Sequence, residues 1–255
     1  MTPSQQSSAI YEQHSVARTL VLHLLPGALI LVFFVAIAPL VVRGLGFPPV
    51  MAVYLAILFV LIPFELGYLI YQARKRGVPL GDIVLYRQPV PRGQFLALVV
   101  ALFLWGIIVV ALVSPVNSFL KESLFSWWLD YTVGFSTGGA RFSTTALLIT
   151  WAFGLIVDGI AAPVVEEMYF RGYLLPRISR FGAWAPLINT VLFSLYHFFS
   201  AFQNLIRIIT YLPIVYAAWW KRNIYISMAV HILGNLFGAV LPLLLILGII
   251  GSGSN

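Results

Sequence analysis

Three short patterns in the second half of the chain gather residue types that do acid–base chemistry. Glu166-Glu167-Met168-Tyr169-Phe170-Arg171 sets two adjacent carboxylates just ahead of an arginine. Phe193 and His197 follow at a spacing of four, and then His231 and Asn235, again four apart. On a helix, residues four apart share a face, so Glu167 can pair with Arg171, Phe193 can wall off His197, and His231 and Asn235 can address one point. Glu166 is rotated from Glu167 by about 100° and faces elsewhere. Taken singly, each pattern has a structural reading: a carboxylate rim at a membrane surface, a hydrogen-bonded core histidine, a helix-packing amide. Taken together they hold the chain's only adjacent carboxylates and two of its four histidines, in three apolar stretches.

Those stretches belong to a membrane protein. Of the 255 residues, 61% are hydrophobic and 9% are charged, against about 25% charged in an ordinary soluble domain. This excludes a soluble enzyme, a disordered chain and a nucleic-acid-binding domain. The apolar runs are continuous rather than alternating, which argues against a membrane β-barrel. There is no cysteine, so disulfides, zinc–thiolate sites and a cysteine nucleophile are excluded. A crossing helix needs about 20 apolar residues. Seven spans are expected: Thr19–Val42, Pro49–Tyr71, Phe95–Val113, Ala146–Val165, Ala183–Phe199, Leu205–Trp220 and Ile224–Ile249. The last contains Gly238 and Pro242 and reads either as one kinked helix or as a span with a short second segment, which would make eight.

The net charge is +7, with 15 Lys and Arg against 8 Asp and Glu. The basic residues gather in alternate loops: Arg74, Lys75, Arg76, Arg87 and Arg92, then Arg171, Arg177 and Arg180, then Lys221 and Arg222, with Arg18 ahead of the first span. The positive-inside rule then puts the N-terminus, residues 1–18, in the cytoplasm. The polar stretch Met1–Val16 does not read as a cleavable signal peptide, and the tail Gly251–Asn255 reads as a flexible end. Pro115–Thr145, with Phe125, Trp127, Trp128, Tyr131 and Phe135 around Lys121, Glu122 and Asp130, is expected to lie at the interface as an aromatic anchor or a substrate gate. The chain divides into spans and interfacial segment over 19–145 and a core over 146–250, all one membrane domain.

An ionisable residue inside a span is a functional candidate by default. His23 follows Arg18 by little more than a turn and is expected to be structural, near the interface. Glu65 follows Pro63 and is expected to pair with a basic residue or with backbone freed by the proline. Asp158, two turns before Glu166, is expected to support it.

The ordered set EExxxR, FxxxH and HxxxN on separate helices resembles the CAAX protease and bacteriocin-processing (CPBP) family of intramembrane endopeptidases, the group of the type II CAAX prenyl proteases and bacterial Abi proteins. Glu166, Glu167, Arg171, Gly172, Leu174, Phe193, His197, His231 and Asn235 carry the resemblance, which covers Ala146–Gly238. It implies an all-α transmembrane bundle with a polar cavity open to the cytoplasm, and cleavage of a membrane-anchored, prenylated or lipid-embedded protein or peptide. It implies no nucleic-acid partner. In this reading Glu166 is the general base for a water nucleophile. His197 holds the water and carries the proton, His231 and Asn235 stabilise the oxyanion, and Glu167, Arg171 and Phe193 support them. No cofactor is needed in the preferred mechanism. Zinc is the rival, with Glu166, His197 and His231 as ligands. A proton-coupled transporter and a non-catalytic scaffold or immunity protein are the competing classes.

Overall fold

The computed structural model describes residues 12–128 and 142–249. Helices α1 (Val16–Gly44), α2 (Val50–Arg76), α3 (Arg92–Ser123), α4 (Thr144–Phe181), α6 (Phe198–Lys221) and α7 (Ile224–Ile246) are each long and apolar enough to cross a bilayer. Among the described residues there is no strand, only an isolated bridge between Arg87 and Asn223. The expected helical bundle is therefore present.

The fifth expected span is the exception. Helix α5 (Trp184–Leu195) has 12 residues, a rise of about 18 Å, short of the hydrocarbon core. It stops because His197 leaves helical geometry (φ −79°, ψ 57°) and the chain turns through Phe198–Gln203 into α6. The apolar run continues past the helix end into Phe198–Gln203. Helix α3 runs past its expected end to Ser123, with Pro115 inside it. The first residues of the expected interfacial segment are thus part of a span. Trp128 then caps the carbonyl of Phe198 (3.0 Å), while Asp130, Tyr131, Phe135 and Arg141 lie outside the described residues, as do Met1–Tyr11 and the tail. In α7 the break falls at Ala239, and Val240–Ile246 is too short for an eighth crossing.

Prolines shape the helices that carry the site. Helix α4 widens into a π-helical turn at Val157–Ala161, just ahead of Pro163, and α2 does the same at Ile57–Leu61 ahead of Pro63. Proline offers no N–H to the preceding turn and crowds its carbonyls, which favours a locally widened helix. The two widened turns pack on each other. Helix α4 widens again over Glu167–Leu174 before tightening into a 3-10 end at Leu175–Phe181.

Helix α1 braces α4 and α5 from behind. A Cβ on Gly27 would overlap the carbonyl of Tyr196, so only glycine lets α1 approach that backbone. Tyr169 donates to the carbonyl of Leu22 (2.8 Å). His23 is wholly buried rather than interfacial. Its Nδ1–H goes to Thr19 O (2.8 Å), and its Nε2 receives Asn189 Nδ2 (3.1 Å), which also donates to Phe170 O. Every polar hydrogen in that chain has a partner, and His23 is structural, as expected.

Candidate active site

The three sequence patterns meet. Glu166 sits on α4 with one carboxylate oxygen, Oε1, 4.0 Å from His197 Nε2 and the other, Oε2, 3.8 Å from His231 Nε2. All three line a cavity of about 530 Å³, together with Tyr196, Asp158 and Asn235.

Both imidazoles are oriented from behind. His197 Nδ1 lies 2.8 Å from Phe193 O. A carbonyl only accepts, so Nδ1 carries the hydrogen and the neutral ring presents its Nε2 lone pair to the cavity. This bond also caps a helix-end carbonyl. His231 Nδ1 lies 3.1 Å from Glu167 Oε1, which turns its Nε2 toward Glu166. The second oxygen of Glu167 accepts from Ser227 Oγ (2.6 Å) and faces Arg171 Nε (3.4 Å). Arg171 is completely buried, and its guanidinium carbon lies 3.9 Å from the Phe193 ring centroid. Phe193 therefore packs against His197 edge-on and Arg171 face-on. Glu167 and Arg171 lie behind the cavity, and Phe193 lines it while packing between His197 and Arg171.

Asn235 has a partner that its spacing did not point to. Its Nδ2 donates to Asp158 O (2.8 Å). In a regular helix that carbonyl would accept from Ala162, but Ala162 N donates to Val157 O in the widened turn, and Pro163 has no hydrogen to give. Asn235 fills the vacancy, and one amide hydrogen remains for the cavity. Glu65 departs from expectation. It is completely buried, and among the described residues neither oxygen has a hydrogen-bond partner.

Two residues of the site lie outside the three patterns. Tyr196 Oη lies 2.5 Å from Glu166 Oε1, and Ser227 holds Glu167. Ser227 is four residues before His231, a one-turn spacing that could have flagged it; Tyr196 merely precedes a histidine. With Oε1 engaged by the phenol, Oε2 is the oxygen left to take a proton. Replacing Tyr196 with Phe keeps the ring against Phe170 and Phe193 and removes that restraint. We expect turnover to fall about 10-fold, the worth of one hydrogen bond to a charged group, with KM within about 2-fold. Steady-state kinetics on the reconstituted protein measure both.

Among the described residues no group of three His, Asp or Glu stands close enough together to hold a metal ion as placed.

Residues 147–237 match the family model for type II CAAX prenyl endopeptidase Rce1-like proteins. This segment is similar to that family. It takes in all seven residues of the three patterns and none of α1–α3. The family indicates a peptidase, and with six helices among the described residues long and apolar enough to cross a membrane it supports an integral membrane protein. No curated protein and no solved structure matches the chain.

Proposed function

We propose that the chain is an intramembrane endopeptidase that uses Glu166 to activate water. The observation that carries this reading is the convergence of the Glu166 carboxylate with two Nε2 atoms at 3.8 and 4.0 Å. A water between them can donate one hydrogen to Glu166 Oε2 and the other to an imidazole lone pair. Glu166 takes a proton as the water oxygen bonds to the scissile carbonyl carbon. His197 relays that proton to the leaving amine nitrogen as the C–N bond breaks, and its ring is fixed for this by Phe193 O. The free amide hydrogen of Asn235 meets the developing oxyanion. His231 adds a second donor when its Nε2 is protonated, with Glu167 at Nδ1 to balance the charge, as a carboxylate does for the imidazolium of a catalytic triad. Such donors are each worth about 3–4 kcal/mol of barrier.

The substrate is a membrane-anchored protein or peptide. An apolar groove of about 490 Å³ between α3 and the α6–α7 pair, lined by Phe103, Gly106 and Ile214, shares His231 and Asn235 with the cavity. A prenyl or acyl chain lying there would bring the adjoining peptide to Glu166. The alternating basic loops favour a cytoplasmic N-terminus.

The test is a comparison of membrane-protein termini in cells carrying the wild-type chain or Glu166→Ala. New termini present only with the wild type support proteolysis, name the substrate and place the cut. Identical termini with both proteins folded would move the reading to a scaffold. Purified protein then separates the two chemistries: cleavage that survives chelators fits water activated by glutamate, whereas loss restored by zinc overturns it.

A further inference from the structure

A second cluster of polar residues lies away from the cavity, where the N-terminal segment meets the ends of α1, α2 and α4. Gln13 Nε2 donates to Pro176 O (3.2 Å) and Ser179 Oγ (3.1 Å), its Oε1 accepts from Arg180 N (3.1 Å), and His14 N donates to Arg177 O (2.9 Å). This lacing lays His14 over Tyr173, 5.8 Å between ring centroids. Arg177 lies on the same tyrosine, with its guanidinium carbon 3.6 Å from the ring centroid. Tyr68 packs against Tyr173 edge-on (5.6 Å) and receives Arg18 Nη2 (3.4 Å). Arg76 joins from the end of α2.

The charges in this cluster do not balance. Arg18, Arg76 and Arg177 are three cations. Among the described residues the one carboxylate at ion-pair distance is Glu12, 3.1 Å from Arg18 and 3.9 Å from Arg76, and it is 66% exposed. None lies within 4.0 Å of Arg177. That arginine is completely buried, gives Nη1 to Tyr173 O (2.8 Å), and has no hydrogen-bond partner for Nε or Nη2; His14 Nδ1 has none either. Burial and the charges of Arg18 and Arg177 push the His14 imidazole down to about 3. An unpaired buried guanidinium is costly, and two further arginines close by raise that cost.

We propose that Arg18, Arg76 and Arg177 form a binding site for a phosphate-type oxyanion, with Arg177 as its floor and Arg18 and Arg76 as its open side. Arginine forks match the geometry of such an oxyanion. The site lies at the end of the bundle where Arg74 and Lys75 also stand, so an anionic lipid headgroup is one source and free phosphate the other. The bound anion ties α1 and α2 to the end of α4, the helix that carries Glu166 and Glu167.

Thermal unfolding of the full chain tests this without reference to peptidase activity. The protein is placed in bilayers of phosphatidylcholine with and without phosphatidylglycerol, and separately in phosphatidylcholine with inorganic phosphate. A ligand bound only by the native state should raise the midpoint by about 5 °C or more. A rise with phosphatidylglycerol alone assigns the site to lipid; a rise with phosphate as well assigns it to the free anion. The rise should vanish in the Arg18→Gln/Arg76→Gln double variant, both part-exposed positions that leave Arg177 in place. It should grow in Glu12→Gln, which removes the competing carboxylate, and persist in Arg74→Gln/Lys75→Gln, which removes equal charge outside the cluster. No rise in any medium, or a rise lost equally in both double variants, overturns the proposal.

Discussion

Replacing Glu166 with Gln should lower turnover by about 1,000-fold or more and leave the fold intact. The amide is the same size as the carboxyl and its oxygen can still accept from Tyr196, so the 2.5 Å contact survives in kind. What is lost is the ability to take a proton from water. General bases contribute about 10²–10⁴-fold, and the two imidazoles cannot substitute at the same geometry: His197 is fixed by Phe193 O and His231 by Glu167. Single-turnover cleavage of a substrate found from cellular termini is the measurement, with thermal unfolding run alongside. Residual activity above about a tenth of wild type, in a folded protein, would show that Glu166 is not the base. The Asp variant is a useful companion. It keeps the charge but draws it back by one methylene from two atoms already 3.8 and 4.0 Å away, so it too should be slow.

The legible part of this site was the spacing. A side chain one helical turn from another shares its face whatever the rest of the bundle does, so the pairings of Phe193 with His197 and of Glu167 with Arg171 could be read without knowing how the helices pack. What spacing cannot give is the azimuth of one helix against another. Tyr196 to Glu166 and Ser227 to Glu167 are contacts between helices, and nothing in either residue's neighbourhood selects its partner. Asn235 shows a different limit. Its partner is a backbone carbonyl, freed by a widened turn that Pro163 favours, and backbone carbonyls look alike in a sequence. The short α5 escaped for a third reason: the apolar run from Ala183 to Phe199 has span length, and hydropathy does not register that His197 turns the chain. Glu65 was expected to find a partner and has none among the described residues; a carboxyl in an apolar run shows its cost in the sequence but not its compensation.

Replacing Arg171 with Met should cost about 3–5 kcal/mol of stability, the effect of removing one partner from a buried ion pair. Both side chains are wholly buried, so no water can take over. The methionine fills much of the arginine's volume beside Phe193 and Tyr211, and the loss comes chiefly from Glu167, whose charge would keep Ser227 and His231 but no formal cation at Nε distance. If that is the cause, adding Glu167→Gln should recover most of the stability, because the stranded charge goes with it; the two changes would be strongly non-additive. Activity should behave differently. Glu167 also orients His231 toward Glu166, and an amide there can swing its NH₂ toward the ring and leave Nδ1 without an acceptor. The double variant should therefore be stable and still slow. Recovery of both stability and turnover would reduce Glu167 to a counter-ion for Arg171. Recovery of stability alone separates its two jobs: one oxygen holds the buried cation, and the other aims the imidazole at the reacting water.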